Sequence, residues 1–480
     1  MRKFFVKNIL FVLAVNLLIK PAWIFLIDRT VQNRVGHAAY GTYQALFNLA
    51  LIFQIILDFG LNNYNSRIIS QKPESLKEMF PIMLSARIVL ILFYASLVFI
   101  TGLALGYRGW ELGLLSGVLL IQGITVLVQY FRSNVAALHH FRTDGILSVT
   151  DRFLMILICG FLLFFPATAR HFRIEWFVFC QVGCYGAAMV ISFWVLRKIA
   201  PVPLHFRFHT EGSLQIIKES LPYALAIFLM SVYTRSDIML IERIAGKEQA
   251  GIYSAAYRLL DVGNIFGLMF ANMLLPLFGR MLAKKEDIVP IVRVCVNMLL
   301  PISLIAVAAA IFFGFDIMHL LYPHATAYDG RIFGWLIASL PAFCMMYVYS
   351  TLLNAAGDLK TINWLALLGV GINLGVNFVL IPKFGAWGAA VTAFVTQSIL
   401  ALGFMAFASK KNHLPVDLKW MAAHLGFFGL VLVAGYGIRL VPLQWLVQLV
   451  AYAIICLGSM FLFRFISVKA LIGLFKKEAD

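Results

Sequence analysis

About fourteen apolar stretches, each long enough to cross a bilayer, follow one another from Asn8 to Phe465 with little between them. A hydrocarbon core of roughly 30 Å needs ~20 apolar residues of helix at 1.5 Å rise per residue. The predicted spans are 6–27, 40–62, 80–105, 112–137, 147–166, 175–196, 217–238, 251–275, 289–313, 331–355, 362–381, 386–408, 420–438 and 443–463. The chemistry of such a chain lies inside the membrane or on short loops, which favours transport over soluble catalysis.

Composition agrees. Of 480 residues, 62% are hydrophobic and only 13% charged, about half the share found in soluble domains. The net charge of +17 would suggest nucleic acid in a soluble protein. In a membrane protein it follows from the Lys and Arg excess of cytoplasmic loops. With the N-terminus inside, roughly 24 basic loop residues fall on the cytoplasmic side against about 10 outside, and both termini are cytoplasmic. The start, Met1-Arg2-Lys3 and an apolar run, reads as a retained first helix, because the run is long and carries Lys20-Pro21.

The longest polar link separates the sixth and seventh spans and contains Pro201 and Pro203. It suggests a six-helix bundle over 1–198, a cytoplasmic linker over 199–216, and a second six-helix bundle over 217–409. Two further helices and a basic tail occupy 410–480. An internal repeat supports two equivalent halves. Gly36, Tyr43 and Ala45 recur as Gly246, Tyr253 and Ala255, and Gly41 recurs as Gly251. Each copy precedes an even-numbered span, and Pro81-Ile82 and Pro290-Ile291 open the spans that follow. Repeated halves are the layout of a transporter that rocks one half against the other.

The same residues carry a family resemblance. Val35-Gly36, Tyr40-Gly41-Thr42-Tyr43 and Leu57-Asp58-Phe59-Gly60-Leu61 resemble the opening of the Wzx-type polysaccharide flippases of the MOP (multidrug/oligosaccharidyl-lipid/polysaccharide) superfamily. Asp237-Ile238-Met239-Leu240, Ala250-Gly251-Ile252-Tyr253, Asn354-Ala355-Ala356-Gly357-Asp358, Asn373 to Asn377 and Ile381-Pro382-Lys383-Phe384-Gly385 are similar to later parts of that family. The resemblance implies an all-α, MATE-like fold of two six-helix bundles around a central cavity, here with two extra helices. It also implies a substrate of isoprenoid diphosphate bearing a short glycan, flipped from the cytoplasmic to the outer leaflet for surface polysaccharide or lipopolysaccharide synthesis, beside polymerase and chain-length machinery.

Candidate residues follow from physics. A charge at the bilayer centre costs ~2.5–3.5 kcal/mol on insertion scales, so ionisable residues within spans are functional candidates. The cations are Lys20, Arg87, Arg152, Arg235 and Arg258, and the acids Asp58, Asp151, Asp237 and Asp261. They sort into an outer layer (Lys20, Arg235, Arg258, Asp237, Asp261) and an inner one (Arg87, Arg152, Asp58, Asp151). Arg pairs with phosphate through two parallel hydrogen bonds, so these cations are candidates for the lipid head group. Competing structural roles exist. Arg258 and Asp261 are three apart and can pair, Arg87 can reach the inner surface along its own stem, and Arg235 can lie at the interface. A cavity carboxylate that binds H⁺ or Na⁺ would couple transport to a gradient; Asp58 is the first candidate, followed by Asp261, Asp237 and Asp151. Trp335, Tyr347 and Trp364 are candidates for stacking on sugar rings. The six cysteines lack metal or disulfide spacing, and the histidines lack HExxH spacing, so neither metal nor organic cofactor is expected.

Alternatives stay open at this point. A lipid II flippase shares fold and anionic cargo. A MATE-type exporter of cationic drugs would want carboxylates rather than the surplus of cations seen here. A membrane glycosyltransferase or glycan ligase would want a catalytic pair on a large outer loop, and the outer loops are short.

Overall fold

Backbone inside hydrocarbon must satisfy its own hydrogen bonds, so uninterrupted apolar runs become helices. In the computed structural model this holds throughout the described residues, which are 18–19, 21–59, 61–138, 140–203, 210–415, 417–463 and 465. They contain helix and no strand. Twelve helices among them are long and apolar enough to cross a membrane. The predicted span 6–27 lies largely outside the described residues, and 40–62 is a helix broken part-way, so about fourteen spans remain consistent with the fold.

The helices divide into two compact units, Met1–Gly251 and Ile252–Asp480. In the first unit a π-helical turn, Trp23–Asp28, leads into α1 (Arg29–Val35) and α2 (His37–Ile52). A 3₁₀ turn at Gln54–Leu57 separates α2 from α3 (Leu61–Gln71). Long helices α4 (Leu76–Ala104), α5 (Trp110–Ala137), α6 (Phe141–Phe164), α7 (Ile174–Ile199) and α8 (Thr210–Ile244) follow. α9 (Lys247–Ala283) runs past the division. The second unit adds α10 (Val289–Leu321), α11 (Ala327–Ala338), α12 (Leu340–Ala355), α13 (Leu359–Phe384) and α14 (Ala386–Lys411). It ends with α15 (Leu418–Arg439) and α16 (Trp445–Leu462).

The division falls at Gly251 rather than in the 199–216 link, because α8, the seventh span, packs on α2 within the first unit. The last two helices lie against α10: Tyr452 donates to the Ile305 carbonyl (3.1 Å) and Trp420 Nε1 to Asn297 (2.7 Å). Pro290 opens α10 as expected, since the first turn of a helix does not need its missing N–H. Pro81 does not open α4. It sits in the second turn of a helix that starts at Leu76, where its missing N–H leaves the Lys77 carbonyl without its i→i−4 donor.

The repeat has a structural meaning. Gly36 and Gly246 both adopt left-handed backbone (φ 83° and 97°), which ends one helix and lets the next begin. Five residues on, Gly41 and Gly251 meet. A Cβ on Gly41 would lie 2.2 Å from the Lys247 carbonyl oxygen, and one on Gly251 would lie 2.1 Å from the carbonyl of His37, the repeat counterpart of Lys247. Equivalent residues thus touch each other's equivalents, at a backbone approach that only glycine permits. Gln32 seals the crossing by donating to the Gly251 carbonyl (2.8 Å).

Candidate functional site

The second predicted span breaks where its acid sits. α2 stops at Phe53, the 3₁₀ turn follows, and Phe59 takes a left-handed φ of 40° before α3 begins. Asp58 lies in this break and accepts the backbone N–H of Asn62 (3.1 Å), starting α3. Interrupted helices place polar backbone and side chains at membrane depth, and they frequently mark ligand sites in transporters.

Arg87 of α4 reaches this break. Its Nη2 donates to Asp58 Oδ1 (3.0 Å) and Asn62 Oδ1 (2.9 Å), and the guanidinium lies 4.8 Å from the Tyr130 ring centre. Its side chain has no exposure, whereas Asp58 keeps 29%. Arg87 therefore does not reach an aqueous surface along its stem; it is a sealed cation neutralised by Asp58. Nε and Nη1 have no hydrogen-bond acceptor among the described residues. Buried donors of this kind need a water or an anion to satisfy them. Asn65 of α3 donates to Asn134 of α5 (2.9 Å), and Asn134 donates to the carbonyl of Tyr130, the residue whose ring lies under the Arg87 guanidinium.

The other candidates are placed as follows. Arg152 pairs with its neighbour Asp151, although adjacent helix positions diverge, and its guanidinium lies 5.5 Å from the Tyr185 ring centre. Arg258 and Asp261 of the second unit form an i,i+3 pair at 3.7 Å. Arg235 is half-buried in α8, and Asp237 is buried at 2% exposure; both have interaction partners. Lys20 lies outside the described residues. Trp335 is packed between Trp387 and Phe394, Tyr347 lies against Gly267, and Trp364 is 65% exposed.

Two polar clusters escaped sequence reasoning. Asp28, one residue past the first predicted span, is buried at 2% and accepts from Tyr40 (2.7 Å), which in turn accepts from Gln44 (2.8 Å). The signal available was the row Tyr40, Gln44 and Asn48, each four apart on one helix face within an apolar span. The second cluster joins residues counted as outer-loop charges. Glu242 accepts from Tyr107 (3.2 Å) and pairs with Arg243 (3.1 Å), which lies 3.4 Å over the Tyr107 ring centre. Glu111 pairs with Lys247 (2.6 Å) and more loosely with Arg243 (3.8 Å). Burial, with the Glu242 carboxylate adding to it, raises the Tyr107 phenol above its ordinary range, so it stays a proton donor.

No group of three or more His, Cys, Asp and Glu side chains is arranged to hold a metal ion among the described residues. In the second unit Asn377 donates to Asn373 (3.2 Å), and the Thr396 and Gln397 side-chain oxygens are buried with no hydrogen-bond partner among the described residues.

The sequence pattern of the polysaccharide biosynthesis protein family matches residues 5–282, more than half of the chain. The chain belongs to this family. The MatE family pattern matches residues 222–379. Among curated proteins it is similar to the capsular polysaccharide biosynthesis protein CapF of Staphylococcus aureus, 23% identical over 48% of this chain and 59% of that one. It is also similar to the probable lipid II flippase MurJ of Rhizobium meliloti (strain 1021), 23% identical over 59% of this chain and 54% of that one. The matches thus span less than two thirds of either relative. Among solved structures, lipid II flippase MurJ in its inward closed conformation superposes with a TM-score of 0.69, covering 97% of this chain and 100% of that one at 15% identity. An inward-facing multidrug resistance MATE transporter of the MOP superfamily gives 0.62, covering 82% and 94% at 14% identity. At such identities the likeness establishes the fold: this polysaccharide biosynthesis protein is an all-helical, multi-pass membrane protein with a MATE-like architecture.

Proposed function

We propose that this protein flips an isoprenoid-diphosphate-linked oligosaccharide from the cytoplasmic to the outer leaflet, by alternating access and without covalent chemistry. The observation that carries the reading is a polysaccharide biosynthesis family chain holding arginines within apolar spans, above all the sealed Arg87. A diphosphate crossing a low-dielectric wall needs fixed cations in place of water, and arginine presents the matching fork. Arg87, Arg152, Arg235, Arg258 and Lys20 are the proposed head-group contacts.

Coupling is proposed to H⁺ or Na⁺ at a carboxylate, with Asp58 first and Asp261, Asp237 and Asp151 behind it. Asp58 suits the role because one carboxylate oxygen serves two duties at once, neutralising Arg87 and starting α3, so protonation would weaken both. The excess of basic loop residues supports a bacterial inner-membrane location with both termini cytoplasmic. A polysaccharide polymerase and chain-length machinery are the proposed partners.

The test is transport by the full chain in proteoliposomes, using a fluorescent isoprenoid-diphosphate glycan whose outer-leaflet share is read by quenching. Protein-dependent flipping is expected, with Lys20→Ala and Arg258→Ala slowed while still inserted. Absence of flipping together with exchange of a cationic dye would replace this reading with drug antiport. Efficient flipping in both variants would remove those two residues from the head-group set.

A further inference from the structure

On the second unit, α13 and α14 flank an open groove of about 470 Å³. Its walls are apolar and exposed: Trp364 is 65% exposed, Phe407 51%, and Leu367 and Leu368 49% each. One end is basic. Lys360 and Thr361 line it, Lys360 is exposed, and no salt bridge to a carboxylate occupies it among the described residues. Asp358, the nearest acid in sequence, is at the same end but does not pair with Lys360. It binds Lys411 (2.9 Å) and caps the Thr361 N–H (3.2 Å). Lys410 and Lys411 follow Phe407 by one helical turn and so extend the basic end along the same face. Three lysines therefore stand against one carboxylate at the mouth of an apolar trough.

We infer that this groove binds an anionic glycerophospholipid of the surrounding leaflet, with an acyl chain along Trp364, Leu367, Leu368 and Phe407 and the phosphate at Lys360. Charge complementarity selects the occupant. An acyl chain alone would find the walls adequate, but it leaves Lys360 and Lys410 unanswered, and a zwitterionic head group returns a cation to a site that already holds a surplus. The groove between α4 and α5, about 620 Å³ and lined by Ile91, Phe99 and Leu119 among others, has no charged residue in its lining and serves as the internal contrast. The inference is independent of what cargo the protein moves.

Trp364 supplies the readout. The full chain, purified in detergent, is titrated with phosphatidylglycerol or phosphatidylcholine carrying brominated acyl chains. The Trp364 signal is isolated as the difference between wild type and Trp364→Phe. Half-quenching is expected at about fivefold lower mole fraction of the anionic lipid, the discrimination attributable to one lysine near a charged head group. Lys360→Gln, at an exposed position, should bring the two lipids together while quenching persists. Equal quenching by both lipids in wild type, or a preference that survives Lys360→Gln, overturns the assignment. Displacement of brominated phosphatidylglycerol by a polyprenyl phosphate at much lower mole fraction than by unbrominated phosphatidylglycerol would assign the groove to cargo instead and overturn it equally.

Discussion

Arg87 and Asp58 illustrate what a charge inside a bundle requires. Alone in an apolar helix, Arg87 would be prohibitively placed; beside Asp58 and Asn62 its charge is answered, at the cost of desolvating both ions. Removing one partner is worse than removing both, because it strands the other. Asp58→Ala should therefore destabilise the protein by about 3–5 kcal/mol, read as a fall in melting temperature in detergent. The double replacement Asp58→Leu with Arg87→Leu should recover most of that loss. A single variant as stable as wild type would mean the pair is hydrated and not sealed. Asp358 makes a second, milder case at a helix terminus. Burial works against its charge, yet Lys411 and the Thr361 N–H hold its carboxyl below the ordinary value of 3.8. A depressed folded pKa contributes stability above the unfolded value and loses it as pH falls through the folded one. Melting temperature should thus decline on acidification below about pH 4, and decline less in Asp358→Asn, which can still cap Thr361 but cannot pair with Lys411. Equal acid sensitivity in both proteins would remove Asp358 from the account.

At the scale of elements, the decisive contacts are backbone on backbone. α2 and the first turn of α9 approach so closely at Gly41 and Gly251 that a methyl group on either would overlap a carbonyl oxygen, which has no rotamer by which to yield. Gly41→Ala and Gly251→Ala should each cost about 1–3 kcal/mol through overpacking and backbone displacement. Gly371→Ala, in a helix of the second unit with nothing within 4 Å, is the control and should be neutral or slightly stabilising from helix propensity. Thermal stability of the three variants checks the argument, and equal behaviour would dissolve it. The repeat was legible because glycine at a crossing has no substitute. The break after α2 was not legible, because Phe53 to Phe59 is as apolar as the helix before it. Only the packing of α4, which brings Arg87 to Asp58, shows why the chain turns there.

For the whole molecule, the alternation of short basic and neutral loops makes a checkable statement of topology. Cysteines introduced at Lys360 and Lys410 should react with a membrane-impermeant thiol reagent from the cytoplasmic side, and cysteines at Arg331 and Lys383 from the outer side. The native cysteines do not confuse the readout, since Cys159, Cys184, Cys295, Cys344 and Cys456 are buried and Cys180 is half-buried. Labelling of all four positions from one side would undo the span assignment, and with it the direction of flipping. On that topology roughly 24 basic loop residues face the cytoplasm against about 10 outside, an imbalance that accounts for the net charge of +17 without a nucleic acid partner.

Run length and hydropathy by themselves determined the helical membrane class and the approximate span boundaries, because a bilayer dictates twenty apolar residues whatever their order. The glycine repeat and the basic loops likewise follow from local rules that act over a few residues. What tertiary structure alone decided is which charges answer which. Arg87 finds Asp58 across 29 positions, Lys247 finds Glu111 across 136, and Asp28 finds Tyr40 around the turn at Gly36. Pairing of this kind depends on the rotation of each helix about its axis. That rotation is set by side-chain packing between helices, and no count of apolar residues along a single span contains it.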